Sequence, residues 1–285
     1  MRFVTFRNTQ GAPEPGVILK NEVISLAGAG FASMIEVAGS GAEGRKKIDA
    51  YLAAPPKGAA HSLAQVKLLA PIPRPPKVIC VGLNYRDHAE ESNMAIPDRP
   101  TIFNKFPHTV IASGEPIVLP KNSTQPDYEA EFAFVIGVGG RHIPAEKWRD
   151  HVFGYTNLND VSARDFQLAT TQWLMGKTFD TFAPMGPYIA SADEIADPHN
   201  LDIKITINGE VLQHSNTKHL IFNVPALVAY LSSVFTLEAG DIVSTGTPAG
   251  VGFARKPPRW LVPGDDVVVE VEGLGQLRNP VVAEA

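Results

Sequence analysis

The sequence predicts an α+β protein that is predominantly β: a rolled β-sandwich with short helices added, preceded by a small α+β segment. Three observations carry this. The 285 residues include 24 glycines and 24 prolines, and neither residue sits well inside a helix, so an all-helical bundle is excluded. Beyond residue 77 the text is dominated by β-branched residues and period-two alternation. The helical stretches between these runs are few and short, unlike the alternating strand–helix text of a doubly wound parallel sheet.

The elements follow in order. RFVTF and GVILKNEVISL read as short strands, the second broken by a turn at Lys20-Asn21-Glu22. FASMIEVA and EGRKKIDAYLAA read as helices separated by Gly39 to Gly41, and residues 54–62 read as loop. PIPRPPK, residues 71–77, holds four prolines in seven residues and reads as a stiff connector. It divides a small N-terminal domain, 1–70, from a larger domain, 78–285. In the larger part VICVGL, PIVLP, YEAEFAFVIGVGG, LDIKITINGEV, GDIVSTG and DDVVVEVEGLG read as strands. Helices are expected at roughly 84–94, 145–151, 162–173 and 223–234.

Composition excludes several classes of function. Apolar residues make up 44% and charged residues 19%, as in ordinary globular proteins. The formal charge of −5 argues against nucleic acid, which needs a dense basic surface. No apolar run reaches a membrane span and no signal peptide is visible, so membrane association is not expected. The one cysteine, Cys80, allows no intrachain disulfide and suits a reducing, cytoplasmic setting. GVGG at 137–140 does not continue as a dinucleotide fingerprint, and the turn Gly246–Gly252 lacks the Lys-Ser/Thr ending of a Walker loop. Such a turn still aims Thr245, Thr247 and backbone N–H groups at an anion.

The chemistry gathers in acidic text. In Asp127-Tyr128-Glu129-Ala130-Glu131-Phe132, alternation puts Glu129 and Glu131 on one strand face, with Ala130, Phe132, Phe134 and Ile136 on the other. A solvent-facing amphipathic strand is the plain alternative. Against it, the acidic face continues with Ala133 and Val135, which makes an enclosed carboxylate pair in need of a cation. Asp160 ends a strand that turns into a helix; it is either the helix N-cap or a third ligand, freed if Ser162 and Asp165 form a capping pair. Three carboxylates without a His or Cys cluster favour Mg²⁺ or Mn²⁺. In NYRDHAEE, helical spacing makes His88 and Glu91 neighbours. Glu91 would then orient the imidazole as a general base, although a chance pair on a solvated helix is the commoner case.

The ordered motifs NYxDHxxE, DYExE, NDVSARDxQ, GKTFDTFAPMGP and TGTPxGVG, spread over most of residues 77–280, resemble the fumarylacetoacetate hydrolase family. Arg255-Lys256-Pro257-Pro258, ADPHNL and NGEVLQHSNT resemble its domain-containing subgroup, and the connector and N-terminal segment resemble bacterial members. The resemblance implies that Glu129, Glu131 and Asp160 hold one Mg²⁺ or Mn²⁺ ion. It implies that His88 and Glu91 are a water-activating dyad on a mobile lid, and that Lys177 stabilises an enolate. Arg164, Gln167 and Thr247 match substrate-contacting positions. Lys105 is a partner for a second carboxylate, with a solvated loop lysine as the alternative. The longer eukaryotic enzyme has a further acidic ligand where this chain has Val81.

The implied substrate is a 2-oxo or 1,3-dicarbonyl acid. The first expectation is hydrolysis of a C–C bond in an acylpyruvate, with activated water attacking the distal carbonyl and the metal holding the enolate. Isomerisation, tautomerisation or decarboxylation of a 2-oxo diacid such as oxaloacetate uses the same enolate and is the alternative. A metal-stabilised scaffold without turnover is a third. A homodimer is the expected partner state.

Overall fold

The computed structural model describes residues 1–285 apart from Thr9 and Ser92. The N-terminal segment forms strands β1 (Arg2–Arg7), β2 (Pro13–Leu19) and β3 (Glu22–Ser25), helices α1 (Met34–Gly39) and α2 (Gly41–Ala53), and strands β4 (Ala60–Ser62) and β5 (Lys67–Leu69). Lys20 takes the left-handed conformation at the β2–β3 turn. Ser33 caps α1 by accepting from the Glu36 amide at 3.2 Å, while Glu36 accepts from the Ala32 amide at 2.8 Å. Part of the stretch read as loop is β4, which pairs with β3.

Beyond the connector come β6 (Val78–Gly82), α3 (Arg86–Glu91), β7 (Thr101–Lys105), β8 (Val110–Ile111), β9 (Ile117–Leu119), β10 (Pro126–Asp127) and β11 (Ala130–Ile136). They are followed by β12 (Val152–Asn159), β13 (Ser162–Ala163), α4 (Arg164–Gln167), α5 (Leu174–Lys177), β14 (Ala183–Ser191), β15 (Asp202–Ile207) and β16 (Glu210–Asn216). The chain ends with α6 (Val224–Val234), β17 (Ile242–Ser244), β18 (Asp266–Val271) and β19 (Gln276–Ala283). Val224, Leu227, Val228 and Leu231 form the buried stripe of α6, and Asn223 caps it. The stretch 145–151, read as a helix, is a 3₁₀ turn over Ala145–Asp150.

Among the described residues, twelve strands share one sheet, with a central order β2-β1-β14-β12-β11-β17-β6-β7. A second sheet, β16-β15-β18-β19-β9, packs across it. This is the rolled, predominantly β architecture expected. β1 pairs with β14 through Arg2↔Ala190 and Phe3↔Ile189, so the sheet runs without a break from the N-terminal segment into the larger part. The connector lies on it: Thr5 donates to the Pro71 carbonyl at 2.6 Å.

β11 lies at the centre and is buried on both faces. Phe132, Phe134 and Ile136 enter the core between the sheets, while Ala133 and Val135 join a second cluster with Phe3, Val37 and Met185. Burying a phenylalanine of this kind is worth about 1.5–3 kcal/mol. Asn157 on β12 ties the two sheets: its amide donates to the carbonyls of Gly186, Leu274 and Gly275, and its oxygen accepts from the Val271 amide. β14 was hidden from periodicity by Pro184 and Pro187. It lies between β1 and β12, and its register with β12 shifts between Tyr155 and Asn157, an irregularity of the kind that accommodates proline in a sheet.

Candidate active site

Sequence locality supplies the carboxylates first. Glu129 precedes β11, Glu131 lies on it, and Asp160 follows β12, whose last residue Asn159 pairs with Ala130. The Asn159 side chain accepts from the Glu129 amide at 3.1 Å. This register brings one oxygen each of Glu129, Glu131 and Asp160 within 4.8 Å of one another, all three buried. The alternative of a solvent face is thereby excluded.

The segment read as one helix over 162–173 is helical only over α4, and a second short turn, α5, follows it. The chain folds back because Gly176 lies against α4: a Cβ there would stand 2.6 Å from the Ala163 carbonyl oxygen and from the Gln167 Cα. The fold-back delivers Lys177 to the acids, with Nζ 2.7 Å from Glu129 and 2.8 Å from Asp160. The capping pair expected of Ser162 and Asp165 does not form. Ser162 donates to the Asp160 carbonyl, and Asp165 accepts from Ser123 and the Thr124 amide. Asp160 is nonetheless not a cap, because both its oxygens are taken by lysines.

Lys105 differs from the solvated loop lysine that was one expectation for it. It ends β7, is fully buried, and donates to Asp160 Oδ1 at 2.5 Å and to the Val161 carbonyl at 2.9 Å. It is therefore not a solvated loop lysine; it pairs with Asp160 and is not among the residues that line the cavity. Burial lowers its pKa more than the neighbouring Asp160 restores it.

Arg164 joins the acids from the other side, 2.7 Å from Glu129 and 2.8 Å from Asp127, and donates to Gln167 at 2.8 Å. Asp127 was not singled out by the sequence reading. It is fully buried and also accepts from the amides of Tyr128, Gly252 and Phe253. Its signal was present, since 127, 129 and 131 share one alternation.

The electrostatics separate the two glutamates. Burial pushes Glu129 up, but Lys177 and Arg164 together outweigh it and leave its pKa at about 2. Among the described residues Glu131 has no cationic contact and accepts from the Ser244 hydroxyl and, at 2.9 Å, the Gly246 amide. Burial first, then Asp160 and Glu129, push it well above the carboxylate range. The cluster thus sets four carboxylates, Asp127, Glu129, Glu131 and Asp160, against three cations, Lys105, Arg164 and Lys177. The surplus negative charge falls on Glu131. A hard divalent cation held by Glu129, Glu131 and Asp160 fits this donor set in chemistry and charge.

A cavity of about 150 Å³ opens onto this cluster, well below the usual few hundred of a ligand site. Its polar wall carries Glu129, Glu131, Arg164, Gln167, Lys177 and Thr247, and its apolar wall includes Val81, Phe103, Trp173 and Phe253. His88 reaches the cavity from α3, with Nδ1 3.3 Å from Glu91 Oε2. Gly246 bends the following loop in a positive-φ conformation, and Thr247 accepts from Gln213 at 2.9 Å. A larger groove of about 470 Å³ lies between α2 and the sheet, where Arg45 pairs with both Asp49 and Asp193.

A buried acidic cluster that could hold a cation thus lines a small cavity that His88 also reaches. The chain belongs to the fumarylacetoacetate hydrolase family: residues 77–282 match the family model "Fumarylacetoacetate (FAA) hydrolase C-terminal". It is 50% identical over 223 residues to the mitochondrial oxaloacetate tautomerase fahd2 of Xenopus laevis, covering 78% of this chain and 70% of that one. Among solved structures it resembles the fumarylacetoacetate hydrolase of Exiguobacterium antarcticum, at 37% identity and a TM-score of 0.86, with both chains covered in full. It also resembles maleylpyruvate hydrolase from Sphingobium sp. SYK-6, solved with manganese(II) and pyruvate, at 31% identity and a TM-score of 0.83 over the whole of both chains. The chain is an enzyme of this family, whose members named here include a tautomerase and hydrolases. Among the described residues no helix is long and apolar enough to cross a membrane.

Proposed function

We propose that the protein is a divalent-metal-dependent tautomerase or isomerase of a small 2-oxo diacid, of which oxaloacetate is the leading candidate. This ranks the keto–enol reaction above the C–C hydrolysis expected first. The observation that carries it is the 50% identity to an oxaloacetate tautomerase over 223 residues. The small cavity supports it, because a four-carbon diacid needs little space.

The residues divide the work as follows. His88 Nε2 takes a proton from the methylene carbon beside the 2-oxo group, while Glu91 holds Nδ1–H and keeps the ring oriented. The Lys177 ammonium stands by the oxygen that gains charge, and the proton held by His88 passes through water to that oxygen, which completes the enol and frees the base. Arg164, Gln167 and Thr247 hold the carboxylates. Glu129, Glu131 and Asp160 would hold Mg²⁺ or Mn²⁺, which supplies a Lewis acid for the 2-oxo group when bound.

Two features complete the proposal. The protein acts as a homodimer, which light scattering tests. It works in a reducing compartment, cytoplasmic or mitochondrial, consistent with a single buried cysteine.

The deciding experiment follows oxaloacetate with and without Mn²⁺ by enol absorbance and by deuterium entry at the methylene carbon. The proposal expects metal-dependent acceleration of both with the carbon chain intact. Metal-dependent cleavage of an acylpyruvate, with no acceleration of enol conversion, overturns it in favour of the hydrolase.

A further inference from the structure

The motif NGEVLQHSNT, residues 208–217, plays no part in the reaction as described. It contains the whole of β16, on the edge of the second sheet, and touches both halves of the site. Successive same-face residues of a strand are two apart, and here Gln213 and Ser215 reach opposite parts of the active site. Gln213 accepts from the Ala130 amide at the head of β11 and donates to Thr247 and to the Pro248 carbonyl. Ser215 donates to Asp87 Oδ2 at 2.5 Å across 128 residues of sequence.

Asp87 is the residue before the proposed base. Its other oxygen, Oδ1, accepts from the His88 amide at 2.8 Å, closing the first turn of α3. At the far end of α3, Glu91 Oε1 accepts from the Gly250 amide at 2.9 Å while Oε2 faces His88. Gly250 belongs to the loop that β16 also holds, since the Leu212 carbonyl accepts from Arg255, whose Nε lies 3.3 Å from the Gly250 carbonyl. The short helix carrying His88 is therefore pinned at both ends to one support, and the same support fixes Thr247 and the start of the acidic strand.

We propose that Ser215, acting through Asp87, is a positioning residue that sets His88 over the acidic cluster. β16 is the strut that holds the proton-moving helix in register with the metal-ligating strand. Ser215 touches neither substrate nor the acids. Replacing it removes one of the two side-chain hydrogen bonds by which, among the described residues, α3 is held to the rest of the fold, beside the anchors of Asn84 and Tyr85 just ahead of the helix. Displacing a base by an ångström or so costs one to two orders of magnitude in rate. The kinetic part of this inference rests on the base assigned to His88 above; the tether itself does not.

The test uses the full-length protein loaded with Mn²⁺ and compares Ser215→Ala with Ser215→Thr. The first should lower kcat for oxaloacetate enolisation roughly tenfold, with KM and the Mn²⁺ midpoint held within about twofold. The second keeps the hydroxyl and should recover most of the rate. Hydrogen exchange of the α3 amides, Ala89 among them, should be faster in Ser215→Ala, with β11 unchanged. Ser215→Ala combined with Asp87→Asn should cost no more than the larger single loss, because both cut the same tether. An active wild type whose Ser215→Ala variant matches it in kcat and in α3 exchange overturns the proposal. So does a variant that loses kcat, metal affinity and protection everywhere in parallel, which marks plain destabilisation. A wild type inactive on every 2-oxo diacid, yet with α3 loosened by Ser215→Ala, overturns the proposed reaction and leaves the tether standing.

Discussion

Glu129 and Glu131 are the same residue type two positions apart, yet their replacement by glutamine should move the stability of the metal-free protein in opposite directions. Glu129→Gln strips two buried cations, Arg164 and Lys177, of a carboxylate 2.7 Å away. Breaking a buried pair from one side costs about 3–5 kcal/mol. Glu131→Gln removes a charge that has no cation beside it and whose oxygens come within 4.8 Å of Glu129 and Asp160. At an effective dielectric of about 20, unit charges at such a spacing repel by roughly 3 kcal/mol per pair. Weakening the bonds from Ser244 and the Gly246 amide returns about 1–2 kcal/mol. Protonation of Glu131 in the metal-free wild type already relieves part of the repulsion, so a net gain of about 1 kcal/mol is expected. At about 2–4 °C per kcal/mol, metal-free Glu131→Gln should melt a few degrees above wild type and Glu129→Gln about 10 °C below it. Mn²⁺ at a hundredfold its Kd should stabilise wild type by about 2.7 kcal/mol, and both variants should lose most of that shift. Differential scanning calorimetry after chelation and again with Mn²⁺ reads all of these. Metal-free Glu131→Gln melting as low as Glu129→Gln, or retaining the full Mn²⁺ shift, refutes the charge argument.

Three further outcomes follow from the same geometry. His88→Ala should keep the Mn²⁺-induced melting shift and lose enolisation by about two to four orders of magnitude; unchanged turnover removes His88 as the base. Lys105→Met should cost about 3–5 kcal/mol in urea unfolding, because Asp160 loses a buried partner, whereas intact stability with a raised KM would return Lys105 to the role of substrate contact. Thr247→Val should raise KM for a diacid several-fold with kcat little changed, since Thr247 lines the cavity and is assigned to hold a carboxylate rather than to move a proton; an equal fall in kcat at constant KM places it in the transition state instead.

What the sequence disclosed and what it hid follow one physical line. Contacts set by local periodicity were legible. The alternation that puts Glu129 and Glu131 together, the i,i+3 spacing of His88 and Glu91, and the stripe of α6 each depend on residues a few positions apart. β14 was hidden because Pro184 and Pro187 suppress the alternation that identifies a strand, and only its neighbours β1 and β12 make it one. The acidic strand was read as having one core face and one site face, whereas it is buried on both, since sheet order decides what covers the second face. Lys105 is the clearest case. Nothing in FNKF distinguishes a lysine in water from one enclosed beneath a ligand, because the distinction is made by Asp160, 55 residues away. Charges so buried must be paired to be tolerated, and the pairing spans strands whose order the sequence does not spell out. The gathering of Glu129 and Glu131 could thus be inferred from spacing, while the count of charges that leaves Glu131 without a cationic contact among the described residues required the fold. That count, four acids against three bases, turns a motif into a site with a reason to bind metal.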